Sequence, residues 1–217
     1  PEEIAWHTQV LAASEDRQGV VVDISNKVSE GLTAVMVQAP KGLDSFVRTT
    51  AALAELGLTI IDARIEPTSE AFDLHTYFLL ETDGNPIRES RRLNEINSRL
   101  HRSLSLDSDH KISVTRRAPR QVRMFSTPVQ VSLSEDPTQP RTVIELVAND
   151  RPGLLFQVGR IFEDNDVKLQ NAKISTLGER AEDVFFISTQ NDQPLDEAAC
   201  KKLAGDLESQ LAEAQAA

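Results

Sequence analysis

The residues of this sequence best suited to chemistry lie in the stretch DRPGLL, residues 150–155. Pro152 fixes one backbone dihedral, and Gly153 after it lets a ligand approach the main chain closely. The first turn of a helix has backbone N–H groups without helical partners, and such groups bind carboxylates. Asp150 supplies a negative charge that can pair with an amine. The stretch therefore predicts a site for the α-carboxylate and α-ammonium of an amino acid.

A simpler interpretation of this stretch remains open. In the ligand interpretation, the N–H groups around Gly153, Leu154 and Leu155 hold the carboxylate. In the simpler one, Asp150 caps an ordinary helix and Arg151 faces water. Both interpretations fit the local sequence.

The elements around this stretch occur twice in the chain. Thr33 aligns with Thr142, an offset of 109 residues (142 − 33), which places TAVMVQA over TVIELVA and LTIIDARI over VKLQNAKI. Each copy adds a third strand, HTYFLLE or DVFFIST, and its helices show apolar residues at spacings of three and four. Each copy therefore has the order β-α-β-β-α. This order predicts an α+β fold of two tandem ferredoxin-like units, each an antiparallel sheet with two helices on one face, each unit burying a core of its own.

A fourth strand is expected beside the first strand of each unit. In the second unit the alternating segment 129–134 suits that place, because a turn-rich segment joins it to the next strand. Residues 20–25 repeat this arrangement in the first unit, but residues 111–115 compete for the same edge. The sequence leaves that choice open.

Composition divides the chain and limits its class. We expect a tail or linker from an upstream region at 1–19, a first unit at 20–115, a basic linker at 116–128 and a second unit at 129–217. The basic run within the linker suits a solvated connection, or a contact with an acidic partner or with catalytic domains. Because the chain lacks an initiator Met, we interpret it as a soluble fragment of something longer.

Charge and apolar content argue against two classes of partner. The chain has 217 residues, a formal net charge of −11 and one cysteine, Cys200. An acidic protein is poorly suited to phosphate backbones, and the aromatic pattern of RNA-binding ferredoxin-like domains is missing. No apolar run approaches the roughly 20 residues of a membrane span. We therefore expect no nucleic-acid or membrane partner, and a lone cysteine fits a reducing cytoplasm.

No catalytic or metal-binding constellation is predicted. The four histidines, His7, His75, His101 and His110, lack the spacing of metal ligands. Glycine-rich nucleotide motifs and the GxSxG motif do not occur. His75 lies in a predicted strand, where a packed or surface imidazole is the favoured interpretation, and Cys200 is expected to fill space in the core.

The stretch from ANDRPGLL to DVFFI resembles an ACT domain, and LGLTIIDARI with its flanks resembles a second. More closely, IAWHT, RRAPRQVRMF, DRPGLL and NAKISTLGERAEDVFFI resemble the C-terminal region of the bifunctional PII uridylyltransferase/uridylyl-removing enzymes. The resemblance implies a cytoplasmic glutamine sensor attached to upstream catalytic domains, which transfer UMP to the PII signalling protein and remove it. It also implies that Mg²⁺ and UTP are used by the parent enzyme and not by this region. ACT units can associate with one another.

The resemblance also implies ligand-site residues. In the second unit these are residues 150–155, with Lys168 and Asn171 as side-chain contacts from the facing strand. In the first unit, the matching places are held by Lys41, Gly42, Leu43, Asp44 and Asp62.

The first of these two sites is altered. Asp44 takes the place of Gly153, and Gly42 lies two residues earlier, so the first turn is either a shifted site or purely structural. A valine at position 153 is expected to abolish binding while the chain still folds. ACT repeats of another amino-acid-controlled enzyme, or a stand-alone repeat protein, remain the alternative.

Overall fold

The computed structural model describes residues 2–13, 19–41, 43–67, 71–105, 114 and 127–216. These residues form five helices and eight strands in the described part of the chain. The first unit contains α1 (Glu2–Ala13), β1 (Val21–Ser25), β2 (Thr33–Pro40), α2 (Leu43–Glu55), β3 (Thr59–Pro67), β4 (Phe72–Leu80) and α3 (Ser90–Ser105). The second contains β5 (Gln130–Glu135), β6 (Thr142–Asn149), α4 (Leu154–Asp164), β7 (Lys168–Leu177), β8 (Arg180–Ser188) and α5 (Glu197–Ala216).

All eight strands belong to one antiparallel sheet with the order β1-β2-β4-β3-β7-β8-β6-β5. Each half of this order is the ferredoxin-like arrangement, with the strand that opens each unit at the outer edge. The predicted α+β fold of two tandem ferredoxin-like units is therefore confirmed.

The edge beside β2 is filled by β1, whose residues Val21–Ser25 pair with β2. Strand β5 takes the equivalent place beside β6. Of the competing segment 111–115, Val114 alone is described, and the other four residues lie outside the described part of the chain. The basic run 116–123 also lies outside it.

The two units join through β3 and β7, the edge strands of the two halves that meet in the middle of the sheet. β3 pairs with β7 from Asp62↔Ser175 to Ile65↔Ala172, and the side chain of Thr176 donates to the carbonyl of Ile60 at 2.8 Å. Because this pairing continues the sheet across the boundary, buried apolar residues of both units form one contiguous cluster. The chain is long enough for each unit to bury a core, and in this structure the two cores are continuous across the boundary.

Helices α2 and α4 pack against each other over this junction. Gly159 permits the close approach, since a Cβ atom at that position would lie 2.6 Å from Cγ2 of Val47. Across the same boundary, the ring of Phe46 meets that of Phe185 edge-on, with 6.5 Å between centroids. The junction is consequently packed like the interior of a domain.

Helix α1 lies against the first unit on the opposite side of the sheet. One row of directly paired residues crosses all eight strands on that side: Asp23, Met36, Thr76, Arg64, Lys173, Val184, Glu145 and Ser132. Three α1 side chains contact this row: Trp6 donates to Asp23 at 2.7 Å, Glu3 accepts from Arg64 at 2.8 Å, and His7 lies 3.2 Å from the Thr76 hydroxyl. The segment predicted as a tail is therefore attached to the first unit by polar contacts.

None of the helices in the described part of the chain has the length and apolar character needed to cross a membrane.

Candidate functional site

A cavity of about 250 Å³ lies at the junction of the two units. The first unit lines it from the end of α2 to the start of β3, including Ala54, Leu58 and Thr59. The second unit lines it with the whole predicted turn, residues 150–155, and with Asp183 of β8. Pockets that hold drug-sized ligands measure roughly 300–1,000 Å³. This cavity therefore suits a smaller molecule, of the size of a free amino acid.

The turn takes its shape from Gly153, which precedes α4 and has φ of 81°. Residues with a Cβ atom rarely adopt this left-handed conformation. No side chain in the described residues caps the start of α4, so the capping role considered for Asp150 is not found. The N–H of Leu154 donates to the carbonyl of Arg151 at 3.1 Å, which removes one of the three N–H groups predicted to hold a carboxylate.

Asp150 and Asp183 make the cavity acidic. The side chain of Asp183 is 1% exposed, and its Oδ1 accepts the N–H of Ser175 at 3.3 Å. Its Oδ2 is buried and has no hydrogen-bond partner in the described residues. Burial, with a smaller contribution from the nearby charge of Asp150, raises the pKa of Asp183 to about 8, although the hydrogen bond from the N–H of Ser175 opposes this change. Burial likewise raises the pKa of Asp150 to about 6.

Arg151 supplies the positive charge of the cavity. Its guanidinium donates from Nη2 to the side-chain oxygen of Gln157, while its buried Nε has no partner in the described part of the chain. Burial lowers the pKa of Arg151, although the neighbouring Asp150 opposes this change. Arg151 is therefore part of the site wall, contrary to the simpler interpretation that placed it in water.

Lys168 and Asn171, the predicted contacts from the facing strand, are not among the residues that line this cavity. Lys168 forms an ion pair of 2.6 Å with Asp192. Strand β7 borders the cavity through Ile174 and Thr176, and β3 of the other unit borders it through Thr59 and Ile60. The pairing of β3 with β7 brings these two strands together at the cavity.

The predicted residues of the first unit do not line this cavity either. Asp44 pairs with Nε of Arg48 at 2.6 Å, and Asp62 lies 3.4 Å from Arg64. Lys41 lies close enough to Asp192 to help lower the pKa of that carboxyl, whose main cause is the hydrogen bond from Lys168. Gly42 and the side chain of Leu43 lie outside the described residues.

Arg48 is the buried partner of Asp44 in the first unit. It is 1% exposed, and its Nη1 donates to the carbonyl of Ser103 at 3.2 Å in addition to its pair with Asp44. Asp44, at the position of Gly153, is therefore engaged in an ion pair within its own unit.

His75 holds the position in β4 that Asp183 holds in β8. Val37 pairs with His75 and Leu146 pairs with Asp183, and Val37 and Leu146 are themselves 109 residues apart (146 − 37). The imidazole is fully buried, its Nδ1 lies 3.1 Å from the Tyr77 hydroxyl, and burial lowers its pKa to about 4. The prediction of a packed imidazole is confirmed.

Asp183 is the site residue that the sequence interpretation missed. The signal was present, because period-two alternation in β8 places Asp183 on the same face as Ala181, Phe185 and Ile187. Acidic side chains are almost never fully buried unless they are paired, so an acid at an inward position of such a strand is informative.

The next question is whether the described side chains could form a metal-binding site. In the described ranges, no group of three or more His, Cys, Asp or Glu side chains is placed to hold a metal ion. Cys200 is half-buried on α5, with its thiol 3.8 Å from the carbonyl of Leu195.

Comparisons with known proteins found one family model that matches part of the second unit and relatives that are similar to nearly the whole chain. Residues 142–201 match the family model of the ACT domain. The chain is 42% identical over 206 residues to the bifunctional uridylyltransferase/uridylyl-removing enzyme of Stutzerimonas stutzeri, covering 93% of the chain and 23% of that relative. It is 41% identical over 219 residues to the same enzyme of Pseudomonas entomophila, covering 99% of the chain and 24% of the relative. For Azotobacter vinelandii the identity is 40% over 216 residues, with 97% and 24% covered. The chain thus spans about a quarter of the length of these curated relatives.

Proposed function

Because this chain is homologous over nearly its whole length to one region of the bifunctional uridylyltransferase/uridylyl-removing enzymes and carries an ACT domain, we propose that it is the amino-acid-sensing region of such an enzyme. Its ligand is glutamine, bound in the cavity between the two units. The catalytic domains lie elsewhere in the parent protein.

The observation that carries the proposal is the junction cavity with its buried acid. Asp183 has a buried oxygen without a partner in the described residues, and Asp150 and Arg151 stand beside it in the same wall. A buried polar atom without a partner costs free energy, so a bound ligand that supplies the partner stabilises the site. A zwitterion has the two opposite charges that such a wall can receive.

The lining favours glutamine over glutamate. With both acids ionised, Asp150, Asp183 and Arg151 give a net charge of −1, which disfavours a second carboxylate on the ligand. The first unit contributes the hydroxyl groups of Thr59 and Thr82 to the lining. These groups can hydrogen-bond a neutral carboxamide.

A ligand at the junction contacts both units, which is how it would regulate. It can shift a conformational equilibrium only through unequal affinity for two arrangements of the units. In the parent enzyme, we expect glutamine to favour removal of UMP from the PII protein over its transfer.

Calorimetric titration of the chain tests the first step. Glutamine should bind, and glutamate should bind more weakly. Ala54→Leu should abolish binding by filling the cavity from the first unit, whereas Ala204→Leu on α5, away from the cavity, should leave it intact. In the parent enzyme, Ala54→Leu should retain uridylyl transfer while losing its response to glutamine. A chain that binds none of the twenty amino acids would contradict the proposal.

A further inference from the structure

Resting on the proposed function, we infer that Asp183 is the residue that receives the α-ammonium of the ligand, and that it does so by giving up a proton as the ligand enters. This assigns a specificity-determining role to a strand residue outside the ligand turn. It also makes binding depend on pH.

The geometry leaves one oxygen of Asp183 for a guest. Oδ1 already accepts the N–H of Ser175, and Oδ2 is the buried atom without a partner in the described residues. Asp150 is half-buried and therefore lies less deeply than Asp183. Asp183 is thus the acid at which a cation gains most from replacing a missing partner.

The charged groups around Asp183 are few. On the second unit's side of the cavity, the turn supplies two charged groups, Asp150 and Arg151. The adjacent strand β7 supplies only the uncharged side chains of Ile174 and Thr176. The lining residues of the first unit, from Thr50 to Thr82, include no titratable side chain. The protonation of Asp183 therefore depends first on burial, which favours the neutral acid, then on the N–H of Ser175, which favours the carboxylate, and then on the charge of Asp150.

The proton balance follows from this environment. At neutral pH the carboxyl group of Asp183 is mostly protonated, because its pKa is raised to about 8. When the ligand's –NH₃⁺ group enters, the carboxyl loses its proton to the buffer and becomes a carboxylate paired with the ammonium. No covalent bond of the ligand changes, and the net release approaches one proton per ligand below pH 8.

Two ligands separate the ammonium from the rest of the molecule. Glutamine has the free ammonium, and N-acetylglutamine keeps the carboxylate and side chain but cannot pair with a carboxylate in this way. We expect glutamine to bind and N-acetylglutamine to bind at least tenfold more weakly.

The experiment is calorimetry of the 217-residue chain at pH 6.5, 7.5 and 8.5, each in two buffers with different ionisation enthalpies. In the unsubstituted chain, the affinity for glutamine should increase severalfold for each unit by which the pH is raised toward 8. The buffer dependence of the binding enthalpy should show proton release. Asp183→Asn keeps the shape of the side chain but cannot become a carboxylate. It should lower affinity at least tenfold and abolish the proton release.

Glu182→Gln is the matched control. Glu182 is the preceding residue of β8, is exposed and pairs with Arg180 at 2.8 Å, so its substitution removes the same charge outside the cavity. Its glutamine affinity should stay within twofold of the unsubstituted chain. If glutamine binds without proton release, and Asp183→Asn binds it within threefold, the inference is overturned while the proposed function stands. If no free amino acid binds to the unsubstituted chain, both are overturned.

Discussion

The two strand-to-helix turns of this chain hold equivalent places in the repeat but differ in what fills them. In the second unit, the turn at 150–155 borders a cavity with buried acids. In the first unit, Asp44 stands where the second has Gly153, and its carboxylate is paired with the buried Arg48. The first turn satisfies its charge within its own unit, whereas the second borders Asp183 of β8, whose Oδ2 has no partner in the described residues.

The same contrast occurs deeper in the sheet. His75 and Asp183 occupy matching inward positions, and burial disfavours the charged form of both. A neutral imidazole has no charge to offer a ligand, while a carboxylic acid can become charged when a cation arrives. Apolar residues therefore maintain the fold in both copies, and a few polar differences distinguish the two copies.

The largest effect is expected from removing the internal pair of the first turn. Arg48→Ala deletes a buried side chain and leaves the carbonyl of Ser103 without its donor. We expect the free energy of unfolding to fall by about 2–4 kcal/mol. Asp44 is 59% exposed, so the ion pair itself contributes little of this loss. Urea denaturation measures the change.

The matched substitution in the second unit is Gln157→Ala, since Gln157 lies 109 residues beyond Arg48 (157 − 48). It removes a half-buried partner of Arg151 and should cost about 1 kcal/mol. Arg48→Met, which restores most of the buried volume, should recover about half of the Arg48→Ala loss. Equal losses for Arg48→Ala and Gln157→Ala would show that the two turns are not filled differently.

The next effect is a pair of opposite pH dependences. Asp183 has a folded pKa of about 8 against an ordinary value of 3.8, so the folded chain binds the extra proton between these values. Stability from this group therefore falls as pH rises from about 4 to 8. His75 has a folded pKa of about 4 against 6.5, so the unfolded chain binds the extra proton, and stability falls as pH drops from 6.5 to 4. One proton corresponds to roughly 1.4 kcal/mol per pH unit.

Substitution should separate the two slopes. Relative to the unsubstituted chain, Asp183→Asn should gain about 3 kcal/mol of unfolding free energy between pH 5 and 7. His75→Gln should instead gain relative stability as pH is lowered from 6 toward 4.5. Chemical denaturation across this pH range tests both. Parallel slopes for the two variants would contradict the assignment of opposite charge preferences.

Most of the fold followed from the sequence because each unit repeats one order of elements. The apolar runs predicted the strands, and the helical spacing of Ile96 and Leu100 predicted the buried face of α3. The edge strand could not be chosen, since residues 20–25 and 111–115 both have strand character. Pairing with β2 depends on how the chain returns across the sheet, which periodicity does not encode.

The junction between the units was the larger omission, and it determined the site. Gly159 gave no local sign that α2 would pack against α4, because the contact depends on Val47, more than 100 residues away in sequence. The resemblance implied Lys168 and Asn171 as contacts from the strand of the same unit. That strand borders the cavity through Ile174 and Thr176, and β3 of the other unit adds Thr59 and Ile60.

A smaller effect than those of Arg48→Ala and Asp183→Asn concerns the turn glycine itself. A side chain at position 153 should lower stability even while the chain still folds, because Gly153 has φ of +81° and a Cβ atom there would lie 3.1 Å from Cγ1 of Val114. Gly153→Ala should lower the unfolding free energy by about 1–2 kcal/mol from backbone strain, and somewhat more from this contact. Gly178→Ala is the control, since Gly178 has φ of +66° and no described atom within 4 Å of its added Cβ. If strain acts alone, the two losses should be equal. If the Val114 contact adds to it, Gly153→Ala should cost more, and combining it with Val114→Ala should recover the difference in a double-mutant cycle measured by urea denaturation.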